Sequence, residues 1–161
     1  MTAHRVLQDV MLARSTHPVD VNVTSFTLTA LEHAGRIVTL SHTAAASTVT
    51  LPAATGSGAV YKFIVAAVNT SGGHIVKVAN STDVFVGGVL TINDTTEGDV
   101  DGTITWYSDG SDDTITLDGT TTGGVAIGDS FELVDYASGK FQVHGRLRAS
   151  GSEDSPFSAT V

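Results

Sequence analysis

The 161-residue chain contains no cysteine. Disulfides, thiolate nucleophiles and cysteine-held metals are therefore excluded, and the redox compartment is left open. Proline (three), methionine (two) and tryptophan (one) are scarce, and aromatic residues make up 6% of the chain. Cations are scarce too: eight Lys and Arg against seventeen Asp and Glu give a formal net charge of −9. That sign argues against recognition of phosphates, so no nucleic-acid partner is expected. No apolar run approaches the roughly 18 residues of a membrane-crossing helix, and no membrane partner is expected. The first residues show no charged-then-apolar export signal, which reads as synthesis in a cytoplasm. Long apolar stripes of 3.6-residue period are missing as well, and the one helix candidate lies near the N-terminus.

What is abundant is Thr, Val, Gly, Ser and Asp. This is the composition of short strands joined by Gly-rich turns, and the length suits one compact domain. Residues 47–65 show the pattern best. Thr48-Val49-Thr50-Leu51 alternates with period two and is rich in β-branched residues, Pro52 ends it, Gly56-Ser57-Gly58 supplies a turn, and 60–65 is the next strand. Further strands are expected within 19–31, at 37–40, at 75–78, within 84–92 with a break at Gly87-Gly88, and at 131–134 and 141–147. About ten strands at such spacing predict an all-β fold, an antiparallel β-sandwich of jelly-roll type, with a small β-barrel as the alternative. Parallel pairing is not expected, because crossover helices are missing.

The segments 37–40 and 48–51 start eleven residues apart, as do 103–106 and 114–117, and the two pairs are offset by 66. Ser108 to Asp113 then reads as the turn of a second hairpin. Carried through, the offset puts Gly58 on Gly124, Gly73 on Gly139 and Val65 on Phe131. A two-fold structural repeat, 37–79 with 103–145, is the expectation, and shared strand-turn composition is the alternative. The domain plan is an extended N-terminal arm at 1–24, a β domain at 25–148 and a polar tail at 149–161. In the arm, Val6, Leu7, Val10 and Met11 form one apolar face beside Arg5 and Arg14, and in the tail Phe157 is the one large anchor.

Signals for chemistry are weak. Gly128-Asp129-Ser130-Phe131 matches the nucleophile block of one esterase class, but no Asp-x-x-His block follows and the chain is not α/β, so a turn entering a strand is the reading. From 78 to 139 there are twelve acids and no Lys or Arg. Asp109, Asp112 and Asp113 offer oxygens to calcium without matching its 12-residue loop, and a solvated acidic face is the simpler reading. Only Glu132 among these acids sits on an expected strand away from turn signals. The six histidines, at 4, 17, 33, 42, 74 and 144, have no metal-ligand spacing. Trp106, Tyr107, Tyr61 and Tyr136 are available for a sugar platform, with Trp106 and Tyr107 facing opposite ways as strand neighbours. No enzymatic activity, cofactor or metal is expected.

The run T-V-T-L-P-A-A-T-G-S-G-A-V-Y-K-F-I-V at 48–65, H-I-V-K-V-A-N-S-T-D-V at 74–84, T-I-T-L-D-G-T-T-T-G-G at 114–124, G-K-F-Q-V-H-G-R-L at 139–147 and S-P-F-S-A at 155–159 resemble, in that order, the head decoration (cement) proteins of tailed bacteriophages. The resemblance covers roughly residues 25–160. It implies a non-enzymatic structural virion protein on the outer capsid surface, binding the major capsid protein and stabilising the capsid, typically as a homotrimer. It carries no catalytic residues. On this reading the basic and apolar residues near the ends, Arg5, Val6, Leu7, Val10, Met11, Arg14, Arg146, Arg148 and Phe157, are the expected contacts with capsid or a neighbouring protomer. The alternative is a head- or tail-fibre module that binds a host receptor or glycan.

Overall fold

In the computed structural model, residues 17–93 and 102–161 are described. Period-two alternation is realised almost residue by residue. The strands are β1 (Val19–Val21), β2 (Ser25–Thr27), β3 (Ile37–Leu40), β4 (Ser47–Thr50), β5 (Val60–Val65), β6 (His74–Lys77), β7 (Val84–Asn93), β8 (Thr103–Tyr107), β9 (Thr114–Leu117), β10 (Ser130–Ala137), β11 (Lys140–Ala149) and β12 (Phe157–Ser158). Among the described residues there is one helical turn, α1 (Ala30–His33), capped by the Thr29 hydroxyl, which accepts the Glu32 N–H.

These strands form two sheets. The seven-stranded sheet has the order β1-β3-β5-β10-β11-β7-β8, and the five-stranded sheet has the order β12-β9-β6-β4-β2. The side chains that alternate inward meet between them: Val38, Leu40, Phe63, Val65, Phe131, Leu133, Phe141 and Val143 from the larger sheet, and Val49, Val76, Ile115 and Leu117 from the smaller. Aromatic pairs bind neighbouring strands, with Phe63 and Phe131 stacked at 4.9 Å between centroids and Tyr61 edge-on to Phe141 at 6.4 Å. The fold is an all-β sandwich, as the composition predicts.

Its connectivity is not the antiparallel, jelly-roll one. Five pairings are parallel: β1 with β3, β3 with β5, β2 with β4, β4 with β6, and β7 with β11. The reason lies in the winding. From β1 to β6 the chain changes sheet at every strand, so β1, β3 and β5 enter the larger sheet in one direction and β2, β4 and β6 enter the smaller in another. The crossover that a parallel pair requires is supplied by a strand of the opposite sheet, and no helix is needed. The same winding explains 108–113. Those residues carry the chain from β8 in one sheet to β9 in the other and do not close a hairpin. The offset of 66 sets β3, β4, β5 and β6 against β8, β9, β10 and β11. The first series visits the sheets alternately, whereas β10 and β11 pair with each other in the larger sheet.

Three boundaries differ from expectation. Val19 and Val21 are buried in β1, so the β domain reaches back at least to residue 19, inside the expected arm. β7 runs unbroken through Gly87 and Gly88. A Cβ on Gly87 would stand 2.5 Å from the Val143 carbonyl oxygen, and one on Gly88 would press into the Trp106 carbonyl and the Tyr107 ring. These glycines admit close neighbours; they do not end the strand. The tail is also part of the sandwich. Phe157 is 7% exposed and packs in the core, and β12 pairs with β9.

Carboxylates fasten the loops. Asp83, Asp112, Asp113, Asp129 and Asp135 are all buried, against the expectation of a solvated acidic face. Asp135 accepts the N–H groups of Thr55, Gly56 and Ser57 and the hydroxyls of Thr55 and Ser57, at 2.6–3.2 Å. Gly56 takes φ +75° there, which lets successive N–H groups converge on one anion. Asp113 accepts the Thr160 and Val161 N–H groups and the Thr114 hydroxyl, which holds the last residues against β9. Asp118 collects Thr120, Thr121 and Thr122 in the same way. Burial pushes the pKa of Asp113, Asp118 and Asp135 up, but the hydrogen bonds outweigh it and hold each below the usual carboxylate value.

Candidate functional site

The outer face of the seven-stranded sheet is the candidate site. β11 reads K-F-Q-V-H-G-R-L-R-A. Its Phe141, Val143, Leu147 and Ala149 point to the core, so Lys140, Gln142, His144, Arg146 and Arg148 point outward. β11 is an inner strand between β10 and β7, which places this run near the middle of the sheet. Arg146 and Arg148 are therefore sheet residues, on the last strand of the expected β domain. Across the ladder Glu132 lies opposite both His144 and Lys62, and Ser130 lies opposite Arg146 and Ile64.

Two adjoining shallow depressions follow from this register. One, of about 300 Å³, is lined by Gly128, Asp129, Ser130, Arg146 and Arg148. The other, of about 260 Å³, is lined by residues that include Lys62, Ser130, Glu132, His144 and Arg146. Arg148 is fixed: its Nε donates to Asp129 Oδ1 at 3.1 Å, its Nη2 donates to the Ile127 carbonyl, and its backbone N–H donates to Asp129 Oδ2. Arg146 and Lys62 are exposed and have no ion-pair partner among the described residues. The two arginines thus differ in what they offer. One is committed to its own fold and the other is free to meet an anion.

Ser130, Glu132 and His144 share this face, an approach that the sequence reading did not anticipate. No hydrogen bond joins Ser130 to His144 or His144 to Glu132, so the relay that would activate a serine is not formed. At 109–113 the carboxylates accept protein groups. Asp109 takes the Ser111 N–H and hydroxyl, and Asp112 takes the Asp109 N–H. The Ser111 hydroxyl, first among these contacts, holds Asp109 below its usual pKa.

Of the other residues singled out, Arg5, Val6, Leu7, Val10, Met11 and Arg14 lie outside the described residues. Phe157 is spent on the chain's own core. Tyr61 is 1% exposed and leaves the set of sugar-facing aromatics, whereas Tyr107 at 72% and Tyr136 at 47% remain in it. Trp106 is half-buried against the core beside exposed Tyr107, the opposed pair the alternation predicts. His74 is buried, its Nε2 pairs with the Ala67 carbonyl at 2.9 Å, and burial lowers its pKa with His42 as a nearby like charge. Lys62, Lys140 and His144 were missed as members of the face. The signal was present in the alternation at 140–148, where every second residue is polar or basic.

Compared with family models, with curated proteins and with solved structures, the chain matches none.

Proposed function

We propose that this chain is a structural virion protein that decorates and stabilises the outside of a phage capsid by binding the major capsid protein, acting as a homotrimer. The observation that carries the proposal is the segregation of charge. An acid-rich chain presents Lys62, Lys140, Arg146 and the partly exposed Arg148 on one sheet face, interrupted centrally by Glu132 and at the β1 edge by Asp20. Such a face docks on an acidic protein surface without needing a deep pocket. The loops support the same reading, because buried carboxylates make them stiff, and a stiff body loses little freedom on docking. A three-fold assembly adds avidity, since three weak faces engage neighbouring capsid subunits together. The ordered series of motifs that resemble decoration proteins supports the choice of partner.

The test is co-sedimentation of the purified protein with expanded capsids of the same phage that lack it, together with its mass by light scattering. The expected results are saturable binding, a higher capsid disruption temperature and a mass three times that of the 16.6 kDa chain. The double variant K62E/R146E should stay folded and bind at least tenfold more weakly. A folded wild-type protein that does not bind would overturn the proposal.

A second reading, a fibre module binding host glycans, draws on Tyr107. Its ring lies beside Gly88, in the same cross-strand row as His144 and Glu132. Saccharide binding on a glycan array that disappears in Tyr107→Ala would favour it.

A further inference from the structure

Among the described residues, the seven-stranded sheet ends on β8. β7 pairs with one side of β8, and among the described residues no strand pairs with the other. The Ser108 N–H donates to the Gly87 carbonyl. Alternation along an antiparallel ladder then turns the N–H and C=O groups of Thr103, Thr105 and Tyr107 away from β7. The facing sheet has five strands against seven, and β8 overhangs it: Ile104 is 39% exposed on the inward side and Tyr107 is 72% exposed on the outward side. Natural edge strands are commonly blunted by lysine, proline or a bulge. Thr-Ile-Thr-Trp-Tyr has no lysine or proline, and its register with β7 is continuous.

The surroundings of this edge are acidic. Exposed Asp109 follows β8 by two residues, and the Glu153 carboxylate lies 3.6 Å from where a Cβ on Gly102 would sit. No Lys or Arg occurs anywhere from 78 to 139. An incoming strand that is apolar and basic would pair with the backbone, cover Ile104 and Tyr107, and meet opposite charge.

We propose that β8 accepts, in extended form, the segment 1–16 of a second copy of this chain. That segment carries Arg5 and Arg14 against the single acid Asp9, with Val6, Leu7, Val10 and Met11 as its apolar residues. The geometry favours the second copy. A chain's own segment joins at His17, beside β1, at the opposite edge of the same sheet. To reach β8 it would cross six inter-strand spacings, about 29 Å. The inner route is filled by the core, and the outer route passes the exposed cations Lys62 and Arg146, which outnumber Glu132 between them and repel Arg5 and Arg14. A neighbour's segment meets neither obstacle. Donor on one chain and acceptor on the next is a heterologous contact, which closes into a ring when the rotation permits. The inference stands apart from capsid binding and supplies the contact for the self-association in the proposed function.

The experiment is backbone amide hydrogen exchange by NMR on the full chain, paired with mass by light scattering, for wild type, R5E/R14E and Thr105→Pro. Proline at 105 removes only an outward N–H, which edge strands tolerate. For wild type, the outward amides of Thr103, Thr105 and Tyr107 should be protected, with protection falling on dilution. R5E/R14E should exchange these amides at least tenfold faster at equal concentration, and both variants should shift to the mass of one chain with unchanged circular dichroism. Wild-type outward amides that exchange like an open loop at every concentration would overturn the proposal. So would variants that keep both the oligomeric mass and the protection.

Discussion

Asp135 is the sharpest test of the idea that carboxylates hold the loops. Its side chain is 3% exposed and accepts five hydrogen bonds from residues 55–57. Asp135→Ala strands three backbone N–H groups. Thr55, Gly56 and Ser57 are themselves exposed, so water reaches the freed groups and the full penalty for a buried donor does not apply. At about 1 kcal/mol for each N–H, the loss is about 3 kcal/mol. Asp135→Asn keeps one oxygen for the Thr55 and Ser57 cluster but turns an amide NH2 toward the Gly56 N–H, a loss of about 1.5 kcal/mol. For a chain of this size these values correspond to melting shifts of about 6–12 °C and about 3–6 °C. Urea unfolding at pH 7 should show lower midpoints with unchanged slopes. The pH dependence adds a second check. The fold lowers the Asp135 pKa, so its contribution is present above the unfolded value of 3.8 and is lost as pH falls below it. The gap between wild type and Asp135→Asn should therefore shrink towards pH 3. An Asn variant within about 0.5 kcal/mol of wild type at pH 7 would refute the reasoning, since so small an effect is what a surface substitution gives.

Other outcomes follow from named contacts. Gly88→Ala should cost about 2 kcal/mol by forcing β8 away from β7, visible as a lower melting temperature and faster amide exchange in 103–107. Phe157→Ala should cost about 3 kcal/mol and expose 150–161 to limited proteolysis while the other strands stay protected, because Phe157 is what seats β12 on the core. For His74, burial disfavours the charged ring and lowers the folded pKa below 6.5. The unfolded chain then takes up a proton that the fold refuses, so stability is full above about pH 6.5 and declines as pH falls through that value. The urea midpoint of wild type should drop between pH 7.5 and 5.5, and His74→Gln should flatten that drop.

Much of the fold was legible because alternation is a local property. β3, β4 and β6 could be placed from their β-branched residues, β5 from its apolar run with Tyr61, Phe63 and Val65 on one side, and all of them from the Pro and Gly nearby. Pairing is not local. Thr-Val-Thr-Leu at 48–51 looks the same whether its neighbour runs parallel or antiparallel, and only the order of sheet visits decides it. Glycine misled for a related reason. Gly87 and Gly88 read as a break because glycine is usually a turn residue, whereas here it admits the Val143 and Trp106 carbonyls. The acids were misread because a turn Asp and a buried Asp that collects N–H groups from a distant loop have the same local sequence. Asp135 and Thr55 are 80 residues apart, and nothing near Asp135 announces the loop that it holds.

That misreading bears directly on the site. A net charge of −9 suggests a molecule that presents acid everywhere, yet five aspartates face inward to loop N–H, hydroxyl and guanidinium groups. These carboxylates sit below the surface, and among the described residues Asp129 alone has an ion-pair partner. Three of the described cations are distributed the other way. Lys62, Lys140 and Arg146 stand exposed on one face, while Arg148 is tied to buried Asp129. A partner approaching the seven-stranded sheet therefore meets a locally basic plane on an acidic protein, and a partner approaching the β8 edge meets the reverse. Two surfaces of opposite sign on one rigid body can each exclude the other's partner, which gives specificity even where each contact alone is weak.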